Sequence, residues 1–524
     1  MIRLPMFVVI AIIAITYFLS HQIAMQYDIN IAILFVSLSL FEYIVYMLFI
    51  KQFKKSNDRV YYFAAWEMGS YANFYAQSEG NFWTKSVYVK SALKDKGGYL
   101  FIDKFRFDQS VKRFFKFFSL RKRFENFDCY INPKELVKSG IVFGKMGSGK
   151  TEFYNTLIEQ DVFDRYVIND IKGDFTQKFY NKRKDIILNP YDARGQIWDF
   201  FEEAKESSFI VEIFLTNLFN SLAGDKKDFF SASAKERYMR LFNEINFKHS
   251  KKSSKEKMEL FVRELKKYFI EVKKSGRTSE ADVVSTMKIT FEFFDYLNFC
   301  MKNDVKTFTI KEFLQKKDCK LFLLNRDDQK SKLTPFYTGF LAAFTAVMLS
   351  QADNKENLTL FVLDEYLSFA KNLDDETLEG LHTRMRSKGG CLLPGVQFFP
   401  GYKEENITQK MLNSASFWFL FEGIDQYTLE RLNKAAGKVK YQRENVDLVK
   451  KRRDVANTTF QTQEADLLNP TIFQNLAKSF EHITFMPTEK ILYKGYTPRV
   501  ELDNINEQFI QSDNIAAFYR NQKD

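Results

Sequence analysis

Apolar residues form three kinds of run along this chain of 524 residues. The longest lie at the amino end. Leu4 to Leu19 is apolar but just short of a comfortable membrane span, and Ile31 to Ile50 is full length. His21 to Asn30, between them, has no Lys or Arg, whereas Arg3 precedes the first run and Lys51, Lys54 and Lys55 follow the second. The positive-inside rule then predicts two transmembrane helices in residues 1–50, both ends cytoplasmic, joined by a short periplasmic loop. A cleaved signal peptide fits less well, because a second span follows and no A-x-A-like site precedes the loop. Glu42 lies inside the second run. A carboxylate there marks either a helix–helix contact or a protonated side chain on a tolerant face.

The second kind is short and uninterrupted: Gly140 to Phe143, Arg165 to Asp170, Ile186 to Pro190, Cys319 to Asn325, Leu358 to Leu363, and Cys391 to Gln397. Such runs predict buried strands of a parallel sheet. Pro394 lacks the donor that a ladder needs and argues against a central place for the last of them. The third kind has helical spacing. Glu152 to Gln160 places Phe153, Leu157 and Ile158 on one side. Phe209, Val211, Phe214, Leu218 and Leu222 form a second series, and Tyr238, Leu241, Phe242 and Ile245 a third. After a lysine-rich link from His249 to Lys257, a helix is expected near Met258 to Lys274. Pro335 to Gln351 reads as a long apolar helix. The alternation predicts an α/β nucleotide-binding domain in two parts, about 126–198 and 301–505, around an all-α domain at 199–300. Residues 506–524 read as a short polar tail, and 438–480, with Lys450-Lys451-Arg452-Arg453, fits no assigned element.

Charge adds a partner class. The chain carries 77 basic and 66 acidic residues, a formal net charge of +11. Most of that surplus lies in residues 51–125, where 16 Lys and Arg from Lys51 to Arg123 face 7 Asp and Glu from Asp58 to Glu125. The densest patches are Lys112-Arg113-Phe114-Phe115-Lys116 and Arg121-Lys122-Arg123. A basic cytoplasmic stem beside a membrane suits anionic lipid, or DNA entering a channel. Cys129, Cys300, Cys319 and Cys391 are scattered, and His21, His249, His382 and His482 form no cluster. This usage suits buried thiols in a reducing cytosol and argues against zinc.

The chemistry concentrates at two strand ends. Gly144-Lys145-Met146-Gly147-Ser148-Gly149-Lys150-Thr151 follows the Gly140 strand and opens a helix. It matches the P-loop pattern G-x-x-x-x-G-K-[ST]. Its glycines let successive N–H groups face phosphate oxygens, Lys150 can reach the β/γ-phosphates, and the Thr151 hydroxyl can ligate Mg²⁺. The Leu358 strand runs into Asp364-Glu365, the form of a Walker B. Asp364 would hold Mg²⁺, directly or through water, and Glu365 would polarise the attacking water. Arg384, Arg386 and Lys388 follow. An arginine there can serve a neighbouring subunit's ATP, or simply belong to a solvated basic face. Gln397 ends a strand where it can sense the γ-phosphate.

Together these stretches resemble the type IV secretion coupling proteins of the TraD/TrwB kind. Asn169-Asp170-Ile171-Lys172-Gly173-Asp174-Phe175 is similar to the family's D-P-K-G-E-F. Leu188-Asn189-Pro190-Tyr191-Asp192-Ala193-Arg194 with Trp198 resembles its L-N-P-F-D-A-R…W, and Arg326-Asp327-Asp328-Gln329 its R-E-D-Q. Leu363-Asp364-Glu365 resembles its L-D-E, and Arg386 with Gly395-Val396-Gln397 its arginine–x₈–G-[VI]-Q. Ile171 replaces the family's proline, and Pro394 an apolar residue. The resemblance implies a RecA-like P-loop ATPase core that uses ATP and Mg²⁺. Lys150 would bind phosphate, Asp364 and Glu365 would serve Mg²⁺ and hydrolysis, Arg386 would be a finger in trans, and Gln397 a sensor. It further implies a homo-hexamer in the bacterial inner membrane. The ring would pass single-stranded DNA with an attached relaxase to the inner-membrane components of a type IV secretion channel. Two other readings share much of the core: a coupling protein for effector proteins, and a DNA pump of the FtsK/HerA kind. The closely spaced spans and the all-α insertion argue against the pump.

Overall fold

Strands with no polar alternation must be covered on both faces, and helices supply the cover. In this computed structural model that rule builds the core. The structure describes residues 100–108, 124–223, 229–275, 278–401, 405–446, 458–468, 480–487 and 491–522, with 16, 18, 20–23, 25, 82, 83, 470, 473 and 476. The strands are β1 Phe82–Trp83, β2 Leu100–Asp108, β3 Phe124–Ile131, β4 Gly140–Phe143, β5 Arg165–Asp170, β6 Ile186–Ile187, β7 Ile197–Trp198, β8 Thr307–Phe308, β9 Cys319–Leu324, β10 Thr359–Leu363, β11 Gly390–Val396, β12 Phe417–Leu420, β13 Lys438–Val446, β14 Thr458–Asp466, β15 Glu481–Met486 and β16 Ile491–Tyr496. The helices used below are α1 Lys150–Glu159, α2 Asp174–Phe179, α3 Phe209–Ala223, α4 Phe229–Lys248, α5 Ser254–Ser275, α6 Thr278–Lys302, α7 Lys330–Ser350 and α8 Asp513–Asn521.

One sheet runs β3-β2-β16-β15-β12-β4-β11-β10-β5-β9-β6, with β1 beside β16. From β12 to β6 every pairing is parallel, and β4, β5, β9, β10, β11 and β12 are buried at every position. β11 is central despite Pro394. The proline pairs with Leu363, the last residue of β10, and the ladder to β4 starts one residue later, at Gly395 opposite Val142. It therefore sits at a changeover between two ladders, where a missing donor is tolerated. β2 and the start of β3 fall within 51–125, yet they are strands of this sheet. Residues 438–446 and 458–466 pair as an antiparallel hairpin, β13–β14. Lys112 to Lys116, Arg121 to Arg123 and Lys450 to Arg453 lie outside the described residues.

The helical insertion leaves and re-enters at adjacent points, because β7 and β8 pair in parallel at its base. Trp198 in β7 is fully buried, packs edge-on against Phe214 of α3 and Phe340 of α7, and donates its indole N–H to Glu203. α7 starts at Lys330, five residues before Pro335. It is the one described helix long and apolar enough to cross a membrane, and it is mostly buried core. Gly339 permits its closest approach to α3: a Cβ there would lie 2.6 Å from the Phe214 carbonyl oxygen. The periodicity picks out no separate helix at α6. Phe294, Tyr296, Leu297 and Cys300 are all buried, and α6 has neighbours on several sides, so its apolar stripe is blurred.

The polar carboxyl tail is docked. Ile505 and Asn506 donate their backbone N–H groups to Gln177, Ala193 N–H to Ile510, and Ser512 N–H to Tyr191. Gly173, at φ 83°, lets Gln508 pass so close that a Cβ would meet its carbonyl oxygen at 2.5 Å. Phe518 of α8 is buried against Tyr296 and Phe299 of α6. Phe518→Ala is expected to remove about 3–5 kcal/mol of packing from this strap. Hydrogen exchange should then quicken across 505–521 and stay slow in β4 and β10.

At the amino end, Thr16, Phe18, Ser20 to Ile23 and Met25 are helical, and Ser20 Oγ donates to the Thr16 carbonyl. His21 to Ile23 and Met25 are thus helical where the charge pattern expects a loop. Glu42 and the second apolar run lie outside the described residues.

Candidate nucleotide site

Ligand sites of parallel sheets form at the carboxyl ends of the strands. Here that edge gathers Gly144 after β4, Gln397 after β11, Asp364 after β10, Asp170 ending β5, Asn325 after β9 and Asn189 after β6. Gly147 and Gly149 of the loop have φ of 77° and 111°, values that only glycine adopts without strain. A Cβ on Gly144 would lie 2.4 Å from Ser148 Oγ. Lys150, first residue of α1, folds inward and donates to the carbonyls of Gly144 and Lys145. Burial pulls its ammonium below the ordinary lysine value, while Asp364 and Glu365 pull it back up. Ser148 Oγ is buried without a hydrogen-bond partner. A buried, orphaned hydroxyl in a glycine-rich loop at the start of a helix fits a phosphate oxygen. Thr151 is exposed at the mouth of the helix, and Met146 is exposed on the loop.

Asp364 is raised above the ordinary carboxylate range, chiefly by burial, with Lys150 opposing. Its Oδ1 accepts from Glu365 N–H at 3.0 Å, and Asn169 Nδ2 donates to its carbonyl at 2.6 Å. Glu365 has φ 52°, in the left-handed region, and its Oε2 lies 2.9 Å from Lys330 Nζ. Gln397 is half-buried at the bend after β11. Several residues around this edge escape sequence reasoning, because their partners are remote in the chain. Lys330 is one. Glu422 holds Lys145 through an ion pair of 2.6 Å. Phe480, at φ 62°, lays its ring against Gly149. Beneath it a fully buried His482 bonds Asp103 at 2.6 Å.

Arg386 lies elsewhere in the subunit. It is exposed on the 3-10 turn Met385–Lys388, just before β11 begins at Gly390. Gly390 pairs with Thr359, the first residue of β10, whereas Asp364 follows its last. A seven-residue strand at about 3.3 Å per residue therefore puts Arg386 roughly 20 Å from the glycine-rich loop of the same chain. Arg384 pairs with Glu376 and Lys388 with Asp353. The preceding turn, Gly380–Arg384, is a π-helix. It is anchored by a buried His382, whose Nε2 meets the Tyr366 hydroxyl at 2.8 Å. Burial pushes His382 down to about 3, so it stays neutral at physiological pH.

Asp170 gives a pH test. Its carboxylate accepts from Gly173 N–H at 3.0 Å and Thr176 N–H at 2.6 Å, but burial dominates and raises it from 3.8 to about 6. The folded state thus holds this proton more tightly than the unfolded chain. The contribution is complete below about pH 4 and is lost as pH rises through 6, a change of about 3 kcal/mol. Asp170→Asn is expected to flatten the fall of the thermal midpoint between pH 4 and 6 relative to wild type.

A P-loop, a Walker B pair and a parallel sheet with a helical insertion define a RecA-like nucleotide-binding fold. Residues 131–490 match the family model for the type IV secretion-system coupling protein DNA-binding domain, and the chain belongs to that family. It is 24% identical over 282 residues to coupling protein TraD of Escherichia coli (strain K12), a match spanning 50% of this chain and 38% of TraD. The fold is similar to that of plasmid coupling protein TrwB in complex with the ATP analogue ADPNP, with a TM-score of 0.56 and 16% identity over 79% of this chain and 100% of that one. TrwB in complex with ADP and Mg²⁺ gives 0.53 and 15%, over 79% and 99%.

Proposed function

We propose that this chain is an ATPase of the bacterial inner membrane that couples substrate to a type IV secretion channel and hydrolyses ATP to move DNA with its attached relaxase. The observation that carries this reading is the convergence of Lys150, Asp364 and Gln397 on one sheet edge, where Lys150 and Asp364 interact and the Ser148 hydroxyl is buried without a partner. Family membership supports the secretion context, and the complexes of TrwB with ADPNP and with ADP and Mg²⁺ support ATP and Mg²⁺ as ligands.

In this reading the N–H groups of Gly147 to Thr151 cradle the phosphates. Lys150 turns from the Gly144 carbonyl to the β/γ oxygens. Thr151 and Asp364 would hold Mg²⁺, which when bound would supply positive charge to the phosphates. Glu365 takes the proton of the attacking water, and Gln397 senses the γ-phosphate. Arg386 is on the far edge of the sheet, so it serves the next subunit of a homo-hexameric ring. The nucleotide-binding parts at 126–198 and 301–505 flank a helical domain at 199–300 that faces substrate. Two helices in 1–50 anchor the ring, and the basic stem of 51–125, apart from the strands it contributes to the sheet, faces lipid or DNA. Partners are single-stranded DNA, relaxase and the inner-membrane components of the channel.

The test is ATP turnover by the full chain in detergent, with and without single-stranded DNA. Stimulation by DNA supports the reading. Turnover indifferent to DNA would transfer the core to effector-protein substrates.

A further inference from the structure

Glu365 is held at both ends. Its backbone occupies the left-handed region at φ 52°, and its Oε2 is engaged by Lys330 Nζ at 2.9 Å. Lys330 is the first residue of α7. The residue before it, Gln329, accepts from Asn189 Nδ2 through its Oε1, which fixes the start of the helix to the nucleotide edge. Lys332, in the same first turn, reaches Glu292 of α6 at 3.1 Å, and Glu292 also accepts from the Tyr519 hydroxyl of α8. Further on, α7 is packed backbone-close on α3 at Gly339. One helix therefore begins at the Glu365 carboxylate and is tied within its first turn to the helical domain and the carboxyl strap.

We propose that Lys330 is a positioning residue that restrains Glu365 until the helical domain moves α7. This rests on the reading of Glu365 as the base for water attack. The ammonium occupies Oε2 and fixes the orientation of the carboxylate, so that only Oε1, in that one position, is left to accept a proton from water. Withdrawing Lys330 releases Oε2 toward the γ-phosphate side without altering the phosphate loop. The pair is partly exposed, so its role lies in where it holds the carboxylate rather than in stability.

The experiment measures steady-state ATP turnover of the full chain in detergent without DNA, with nucleotide affinity measured in parallel. Lys330→Met is expected to raise kcat about tenfold with KM unchanged, and to shrink stimulation by single-stranded DNA in proportion. Lys330→Arg, which keeps the charge, is expected to restore restraint. Glu365→Gln is expected to lose hydrolysis and keep ATP binding. If Glu365→Gln is inactive but Lys330→Met turns over no faster than wild type, the restraint is wrong and Glu365 remains the base. If Glu365→Gln turns over normally, the assignment of the base fails and the restraint fails with it.

Discussion

Lys150→Ala is expected to cut ATP turnover by about 10²- to 10³-fold, the cost of removing one preorganised charge from a phosphoryl-transfer site, without unfolding the protein. The ammonium is buried and turned onto the Gly144 carbonyl, so in the free protein it carries a desolvation cost that Asp364 and Glu365 only partly offset. Alanine removes that cost together with the bond to Gly144, and the thermal midpoint should stay close to wild type. The loop conformation depends on Gly147 and Gly149 and on the packing of Phe421 and Phe480. Loss of turnover at unchanged stability therefore isolates the ammonium. A fall in both would point to a role for Lys150 in bracing the loop. Steady-state hydrolysis beside differential scanning calorimetry distinguishes the two.

What could be read from the sequence follows from how local each signal is. The phosphate loop is contiguous, and its glycines, lysine and threonine carry their geometry with them. The parallel strands are legible because residues such as Leu321 to Leu324 and Leu360 to Leu363 must be buried on both faces. Asp364 follows from its strand. The carboxyl strap is not legible, because its partners are remote in the chain: Gln177, Tyr191 and Ala193 meet it through the main chain, and the side-chain contacts that add to these, such as Asn506 on Tyr180 and Phe518 on Tyr296, link residues more than 200 positions apart. β2 is hidden by Asp103, Lys104, Arg106 and Asp108, which resemble a solvated stem until Asp103 is seen bonded to His482 and Thr484. Lys330 is one lysine among many until α7 brings it to Glu365. Pro394 misleads because a proline is excluded from the middle of a ladder but not from the point where one ladder gives way to the next.

The same topology governs the last expectation. Arg386→Ala is expected to reduce turnover by about 10³-fold or more, the scale of an arginine finger, and to act on the neighbour's site rather than its own. Arg386 precedes β11 at the amino edge of a sheet whose carboxyl edge carries Lys150 and Asp364, so a single subunit cannot bring them together without dismantling β11. Its neighbours Arg384 and Lys388 are engaged by Glu376 and Asp353 of the same chain. The turn that presents it is braced from within by His382, which is neutral and hydrogen-bonded to Tyr366 one residue after Glu365. Such a side chain is presented outward on a fixed support. Mixing Arg386→Ala subunits with Lys150→Ala subunits tests the trans role, because each variant carries the group that the other lacks. A finger that completes an adjacent site restores turnover in the mixture, whereas a finger that serves only its own subunit leaves the mixture inactive. Undiminished turnover of pure Arg386→Ala would return Arg386 to a solvated basic face.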